Sequence, residues 1–471
     1  MPRIGDMVTD LVRIAGAGHV LVDEESRSAY SRDKSPFPGR LPDVVVRPAD
    51  AAEVSAVVRL ANARGLSLLP RGAGFSIAGF PPVEHAPTVF LDVRRLDRVV
   101  EIDEVNMTVT AQAGILTSAL DAAVAERGFQ VHTVAVPIRH TTLGGVLSGV
   151  FGGGIPLDSC AVGLTGQHVL AVKVVLPNGD LISTNAGGAN RHRTSSTLFD
   201  GDGPLLTPMF IGDGGSFGVK VEATLSLTPA ARFTHADAWL VPDLDSAWRA
   251  VRELSRLREL PFTWLSASLG WLAVSQESSW ELDVVAAAGD KRVLDVQVEI
   301  LERTLTSCGA SKASTERRAL SREFAVPGAA WTRQIVDLDR ALLAFVFGNR
   351  DFCDGLRAVR GLLDQRFAER DLAALGLGLR TVWSPLTRHA VYTSISLTYD
   401  GSVPGAREET ARLAREAYTL VSELGGYSEP HQGEVAGILA RSWSPAYERL
   451  VAGLKATLDP NRILNPGLWE E

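Results

Sequence analysis

The sequence predicts an α+β chain built in two lobes, and three observations carry that prediction. Its 471 residues exceed the roughly 250–300 residues beyond which a single core stops growing. Through the first half, short β-branched runs alternate with stretches of helical apolar spacing. Near Pro229 the texture changes, and from about 236 to 435 strands alternate with longer amphipathic helices such as 406–424. The expected parts are residues 1–230, 231–435 and a closing segment, 436–471.

Residues 43–48 (DVVVRP) read as a strand. Residues 52–64 read as a helix behind an Asp50 cap, because a side-chain oxygen there accepts from the first free N–H groups. Residues 67–70 form a strand that runs straight into a glycine-rich turn. Residues 88–93, 99–102 and 107–111 are further strands, and 116–127 returns to helical spacing. A second αβ segment covers 142–228, with strands at 170–176 and 219–227. The Pro177-Asn178-Gly179-Asp180 turn between strands has the composition of a hairpin. After 435 come a closing helix and a Pro/Gly-rich tail. The chain shows no short-period repeat and no low-complexity tract.

Composition excludes several classes. A hydrophobic content of 45% with 22% charge describes an ordinary globular protein. The net charge of −8 argues against nucleic-acid or anionic-membrane partners. Residues 1–16 carry Asp6 and Asp10 and lack the basic start and apolar run of a secretory signal, and no later run reaches transmembrane length. Three widely spaced cysteines, Cys160, Cys308 and Cys353, give neither a disulfide framework nor a metal set. They fit a reduced, cytoplasmic setting.

Four glycine-rich segments carry the chemistry. Pro70–Gly79 (PRGAGFSIAG) follows a strand directly; its glycines let backbone N–H groups approach an anion, with Arg71 and Ser76 adding charge and a donor. Taken alone, the loop reads equally well as a tight turn. No Gly-Lys-Ser/Thr follows, and strands rather than a long helix come next, so it is neither a P-loop nor a Rossmann fingerprint. The second segment is TTLGG (141–145) with Ser148-Gly149 and Gly152-Gly153-Gly154, a density that favours close backbone approach to a large ligand over a plain bulge. The third is Gly212–Val219 (GDGGSFGV), and the fourth is LDPNRILNPG at 458–467.

In this order the segments resemble the vanillyl-alcohol oxidase and para-cresol methylhydroxylase (PCMH-type) superfamily of FAD oxidoreductases. The carriers are PDVVVRP, LLPRGAGFSIAG, TTLGG, GLTGQHVLAVKVVLPNGD, MFIGDGGSFGVKVEATLSLTP and LKATLDPNRILNPG. The N-terminal half is most similar to the glycolate and D-lactate dehydrogenase branch. The resemblance covers residues 20–230 and 390–471. It implies a PCMH-type FAD-binding domain of two αβ subdomains, plus an α/β cap over the flavin. By the same resemblance Arg71, Gly72, Ala73, Gly74, Phe75, Ser76 and Gly79 hold the pyrophosphate. Thr142, Gly144, Gly145 and Ser148 line the flavin, with His140, Thr141, Gly149 and Gly154 as further cofactor-binding candidates, Gly214, Gly218 and Val219 pack near its ADP side, and Asn465 returns the tail to this domain.

Several members of that superfamily attach FAD through a histidine in the first loop, where this chain has Phe75. No histidine lies between Ala236 and Arg388, and no tyrosine between Tyr30 and Tyr392. The resemblance therefore implies non-covalent FAD, with His140 the nearest residue to a second attachment point used by some relatives. The family reaction moves a hydride equivalent from a C–H beside oxygen or nitrogen to flavin N5, and it needs a group to take the adjacent proton. Candidates in the cap are His431, His389, Arg388 and Tyr392, with Glu429, Glu434 and Arg333 nearby in pattern. Arg388-His389 reads as an anion clamp with a base, or as a solvated strand edge. Trp331 and Trp383 read as pocket walls or as core.

Two departures bear on the substrate. Phenol-oxidising relatives carry a Tyr-Arg pair where this chain has Pro430-His431, and the metal-dependent 2-hydroxy acid dehydrogenases carry histidine motifs where it reads VYTSISLTYD. A phenolate clamp and a metal site are both unexpected. The reading is an FAD-linked oxidase or dehydrogenase of a small alcohol, amine or hydroxy acid. The alternatives are a flavoprotein catalysing a non-redox or rearrangement step, and a catalytically silent flavin-binding scaffold. A small-molecule substrate and a homodimer are the partners the resemblance implies.

Overall fold

Short runs of valine and leucine build the first sheet. The computed structural model describes residues 4–77, 79–80, 87–133, 141–149, 164–185, 203–257, 262–269, 279–324, 340–373, 375–428 and 433–469. Strands β1 (Val20–Leu21), β2 (Val44–Val46), β3 (Ser67–Arg71) and β4 (Thr88–Asp92) form a four-stranded sheet in the order β1-β2-β4-β3. The last three are mutually parallel. Helices α1 (Ile4–Ala15) and α3 (Ala51–Arg64), with α2 (Glu24–Ser28) between them in sequence, pack this sheet through Leu11, Val54, Val57 and Val58. Asp50 caps α3 by accepting from Glu53 N, and Gly65 ends it in a left-handed conformation.

The second sheet is antiparallel. β5 (Val99–Asp103), β6 (Thr108–Gln112), β8 (Val169–Val175), β9 (Leu181–Ser183) and β10 (Val219–Pro229) take the order β5-β6-β10-β8-β9, with β7 (Phe129–Val131) on the far end of β10. Helices α4 (Thr117–Ala125) and α5 (Leu143–Ser148) cover it through Leu120, Val124, Leu143 and Leu147. Among the described residues of 142–228, the expected αβ alternation is realised as hairpin-paired strands with one short α-helix. The Pro177–Asp180 turn joins β8 to β9, with Gly179 N donating to Leu176 O.

The third sheet has eight antiparallel strands: β11 (Phe233–Val241), β12 (Phe262–Leu269), β13 (Trp280–Ala288), β14 (Ser311–Lys312), β15 (Arg340–Gly348), β16 (Gly378–Pro385), β17 (Ala390–Thr398) and β18 (Tyr427–Ser428). Their order is β14-β11-β13-β12-β16-β17-β15-β18. Helices α6 (Leu244–Arg256), α7 (Lys291–Ser307), α8 (Thr315–Phe324), α9 (Phe352–Arg370) and α10 (Ala406–Glu423) complete it, followed by α11 (Gly433–Ala440) and α12 (Pro445–Leu458). The chain runs β11-α6-β12-β13-α7-β14 and then repeats the order as β15-α9-β16-β17-α10-β18. The sheet order places each strand opposite its counterpart about the β12–β16 seam. This duplication is architectural, since hydrophobic alternation alone suffices to specify each half, and it leaves no repeat in the sequence.

Residues alternate between the two faces of this sheet. Trp239, Leu282, Phe345, Trp383 and Ile395 join Val251, Leu301, Val359 and Tyr418 in one helix-covered core. Trp383 is fully buried among Phe352, Trp248 and Trp280, so it is core and not a pocket wall. Glu281, Asp283, Val346, Arg380 and Tyr392 fall on the opposite face, which is helix-free except where Arg317 of α8 bonds Glu281 and Asp283.

Candidate cofactor and active site

β3 delivers the first glycine loop. Gly72 passes against Thr142 so closely that a Cβ there would lie 2.0 Å from Thr142 Oγ1. Only glycine allows that crossing. Thr142 in turn caps α5, accepting from Gly145 N at 3.3 Å. Thr141 lies alongside and accepts from Thr117 N at 3.0 Å. Gly144 N donates to Ala113 O at 2.7 Å and Leu143 N to Ile115 O at 2.9 Å. These bonds hold α5 to the loop after β6, and Gly149 closes the helix by donating to Gly145 O.

Arg71 departs from the expected geometry. Its guanidinium turns back under the loop, where a Cβ on Gly74 would meet it. There it lies 5.6 to 5.8 Å from the ring centres of Tyr30, Phe80 and Phe90, and Nη2 donates to Arg32 O at 2.9 Å. Burial holds this guanidinium below the ordinary arginine value. Arg71 therefore shapes the loop from beneath. The far end of the loop is held by residues 33–34: Gly79 N donates to Asp33 Oδ2 at 2.9 Å, and Lys34 N donates to Ser76 O at 2.8 Å.

Ala73, Gly74 and Phe75 face Gly114, Ile115, Leu116 and Ala119 across a cleft of about 620 Å³, and Lys34, Arg94 and Asp97 complete its wall. That volume is within the range of cofactor and ligand sites. Arg94 is braced by Asp92 and by the Tyr30 hydroxyl, and these bonds raise its guanidinium above the ordinary value.

The third and fourth segments dock beside the first two. Gly212 N donates to Leu147 O and Gly214 N to Ser148 O, at 2.8 and 3.0 Å. Lys220, buried, reaches Asp213 Oδ1 at 2.6 Å and Ser148 Oγ at 2.9 Å. Gly218 packs directly on Val174, and Val219 opens β10 in the core. The tail joins through Asn465: its N–H donates to Leu68 O at 2.9 Å and its Nδ2 to Gly214 O at 2.8 Å. Lys455 donates to Asp459, Ser216 O and Leu464 O, all buried. Four segments spread over some 400 residues thus meet at one place.

On its helix-free face the third-sheet unit contacts the N-terminal part at one apolar cluster. Val346 and Tyr392 are cross-strand partners, and Leu164 of the N-terminal part packs with them and with Leu386. Arg388 and His389 are exposed in the turn joining β16 to β17, off the strand face, with Asn349 bonded to both of their carbonyls. Glu434 is engaged by Arg415 on the helical side. His431, Glu429, Arg333, Trp331, His140 and Gly154 lie outside the described residues. Arg380 was missed by the sequence reading. It stands on the helix-free face four residues before Ser384, the partner of Tyr392, and burial lowers its guanidinium from the ordinary value. The available signal was a charged residue at a face-alternating position in a strand that is otherwise uncharged.

Residues 42–185 match the family model for the FAD binding domain. The chain thus carries an FAD binding domain, as the resemblance to the PCMH-type FAD oxidoreductases implies. The chain is 27% identical over 258 residues to glycolate oxidase subunit GlcD of Bacillus subtilis, a match spanning 55% of the chain and 52% of that relative. It is 24% identical to a D-lactate dehydrogenase of Anaerostipes hadrus over 95% of the chain and 94% of the relative. A solved structure of p-cresol methylhydroxylase with substrate bound superposes with a TM-score of 0.82 at 17% identity, covering 99% and 96% of the two chains. The glycine cradle and the adjoining cleft fit FAD.

Among the described residues, no group of three His, Cys, Asp or Glu is placed to hold a metal, and no helix is long and apolar enough to cross a membrane. One buried titratable cluster lies at the far end of β10. Asp121 bonds Thr133 beside His132, whose ring lies 4.4 Å from that of His168. Burial pushes the Asp121 carboxyl up to about 7. The unfolded chain releases this proton near pH 4 whereas the folded chain keeps it, so stability is full below about pH 4 and falls as pH rises to about 7. Asp121→Asn should flatten that slope and raise stability at pH 8 by roughly 2 to 4 kcal/mol. Denaturant unfolding at pH 5 and pH 8 measures it; equal pH slopes in the two proteins would refute it.

Proposed function

We propose that the chain is an FAD-dependent oxidase or dehydrogenase of a small alcohol, amine or hydroxy acid, acting between the glycine-rich assembly and the helix-free face of the cap. The observation that carries this reading is the meeting of all four glycine-rich segments beside a cleft, with the cap turned toward them through Leu164 and Tyr392. FAD supplies a two-electron acceptor at flavin N5. Gly72–Ser76 and Thr142 hold it, and the apolar contact of Leu164 with Val346 and Leu386 keeps water from one edge of the space below the cap.

Arg380 is the substrate-orienting cation on that face, and Tyr392 adds a phenol at the Leu164 end. His431 takes the substrate proton in this reading. The relatives named for glycolate and D-lactate favour a carboxylate for Arg380 to hold. Phe75 cannot form a bond to the flavin, so FAD is held non-covalently.

Anaerobic mixing with a panel of alcohols, amines and 2-hydroxy acids tests the function. Rapid bleaching of the flavin band by one class, reversed by an electron acceptor, is the expected result. No bleaching across the panel, with flavin still photoreducible, would point to the silent scaffold instead. Acid precipitation should leave the yellow colour in the supernatant, and colour in the pellet would refute non-covalent binding.

A further inference from the structure

With Arg71 folded beneath the glycine loop, the charge facing the cofactor cleft must come from elsewhere. Two cations line that cleft, Lys34 and Arg94. Arg94 is committed to Asp92 and Tyr30. No carboxylate pairs with the Lys34 side chain among the described residues, and the residue is exposed. Its backbone N–H already bonds Ser76 O, which fixes its Cα against the loop.

The segment that carries Lys34 is anchored at its other end in the cap. Phe37 is 2% exposed and belongs to the core cluster of the third sheet, far from its neighbours in sequence. Arg407, on α10, donates to the carbonyls of Ser35, Pro36 and Phe37 at 2.8 to 3.4 Å. Arg415 lies 5.5 Å from the Phe37 ring centre. Asp33, at the loop end, accepts from Gly79 N, Ser35 N and Ser35 Oγ, so the strap is continuous from loop to cap.

We propose that the strap Asp33–Phe37 is part of the cofactor site: Lys34 binds the phosphate groups of the cofactor, and the anchoring of the strap in the cap makes cap docking set the affinity. This rests on the FAD reading. An ammonium at the mouth of a cleft, with backbone fixed and side chain extended over solvent, is a point charge suited to a diphosphate. Loosening either end of the strap lets Lys34 swing away, and the binding it contributes falls with the fraction of time spent in place.

The test is titration of apoprotein, prepared by removing FAD from the holoprotein, with FAD followed by quenching of flavin fluorescence at low and high salt. Lys34→Gln should raise Kd about tenfold at low salt, with a smaller ratio at high salt, while Lys34→Arg stays near the wild-type value. Arg407→Gln, a positioning change that does not line the cleft, should raise Kd several-fold. In the Lys34→Gln/Arg407→Gln double variant the two effects should add to less than their sum. Wild-type protein that binds no FAD would sink the FAD reading itself. Wild-type protein that binds, alongside Lys34→Gln of unchanged Kd at both salts, overturns the phosphate role. Unchanged Kd in Arg407→Gln overturns the coupling.

Discussion

Lys455→Met is expected to cost about 3 to 5 kcal/mol of folding stability and to release FAD from the purified protein. The Lys455 ammonium sits on α12 at 1% exposure, with Asp459 one turn later at 0%. It donates to Asp459 Oδ2 at 2.7 Å, Leu464 O at 2.6 Å and Ser216 O at 3.1 Å. Removing the cation leaves a buried carboxylate and two buried carbonyls without their donor. Asp459 also accepts from Ile463 N and Leu464 N at 2.9 Å each, so it shapes the turn that sends the tail along β3. Adding Asp459→Leu to the first change should therefore fail to restore stability, unlike an ion pair with no other duties. The effect reaches the cofactor because the same ammonium holds Ser216 in the third glycine segment, and Asn465 holds Gly214 beside it. Thermal unfolding with and without added FAD, together with the flavin-to-protein absorbance ratio, measures both effects. Wild-type stability with full flavin content would refute the tail's anchoring role.

Gly114→Ala is expected to be the most damaging single methyl group in the cofactor domain. A Cβ at this position would stand 2.0 Å from Val93 O and 2.7 Å from Leu96 O. Both obstacles are backbone, so no side chain can swing aside. Gly114 N also donates to Leu96 O at 2.7 Å, which pins the approach. Relief requires moving the β6–α4 connection, and that connection holds α5 through Ala113 O and Ile115 O. Overpacking of this kind costs about 1 to 3 kcal/mol or more. The displaced residues, Gly114 to Leu116, form one wall of the cleft. Loss of FAD affinity of at least a hundredfold should accompany the instability. By contrast, Gly203→Ala meets no atom within 4 Å and should leave both quantities unchanged. FAD titration of the two variants decides it, and equal affinities would refute the wall assignment.

Much of the N-terminal architecture was legible in the chain. The α3 helix begins behind Asp50 as predicted and ends at Arg64, where Gly65 turns left-handed. β3, β4, β5, β6, β8 and β10 fall within a few residues of their β-branched runs. Local signals sufficed there because each element's caps, turns and alternation lie within a dozen residues. The cofactor was legible through the family resemblance, whose motifs survive because glycine is required wherever backbone crosses backbone or ligand. The duplicated cap was not legible, because two halves need share only alternation and length to fold alike.

Arg71 shows the limit at the site itself. Its position beside Gly72 correctly marked the loop, but the direction of its guanidinium depends on Tyr30, Phe80 and Phe90, three aromatic residues from separate stretches of chain. Arg388 and His389 show the same limit, since a hairpin turn between two long strands left them exposed and off the face that bears Arg380 and Tyr392.

Through its resemblance to a known family the sequence pointed to the class of cofactor; by itself it determined the α+β plan and the loops in which glycine lets backbone pass close to backbone. Those properties follow from backbone freedom, capping and periodicity, all of them local. Only the tertiary structure decided which cations face the cleft, that the tail is locked by Lys455 and Asp459, and that residues 33–37 join the glycine loop to the cap. Those depend on where side chains point once distant segments are packed together, and burial fixes such directions only when the whole core has formed.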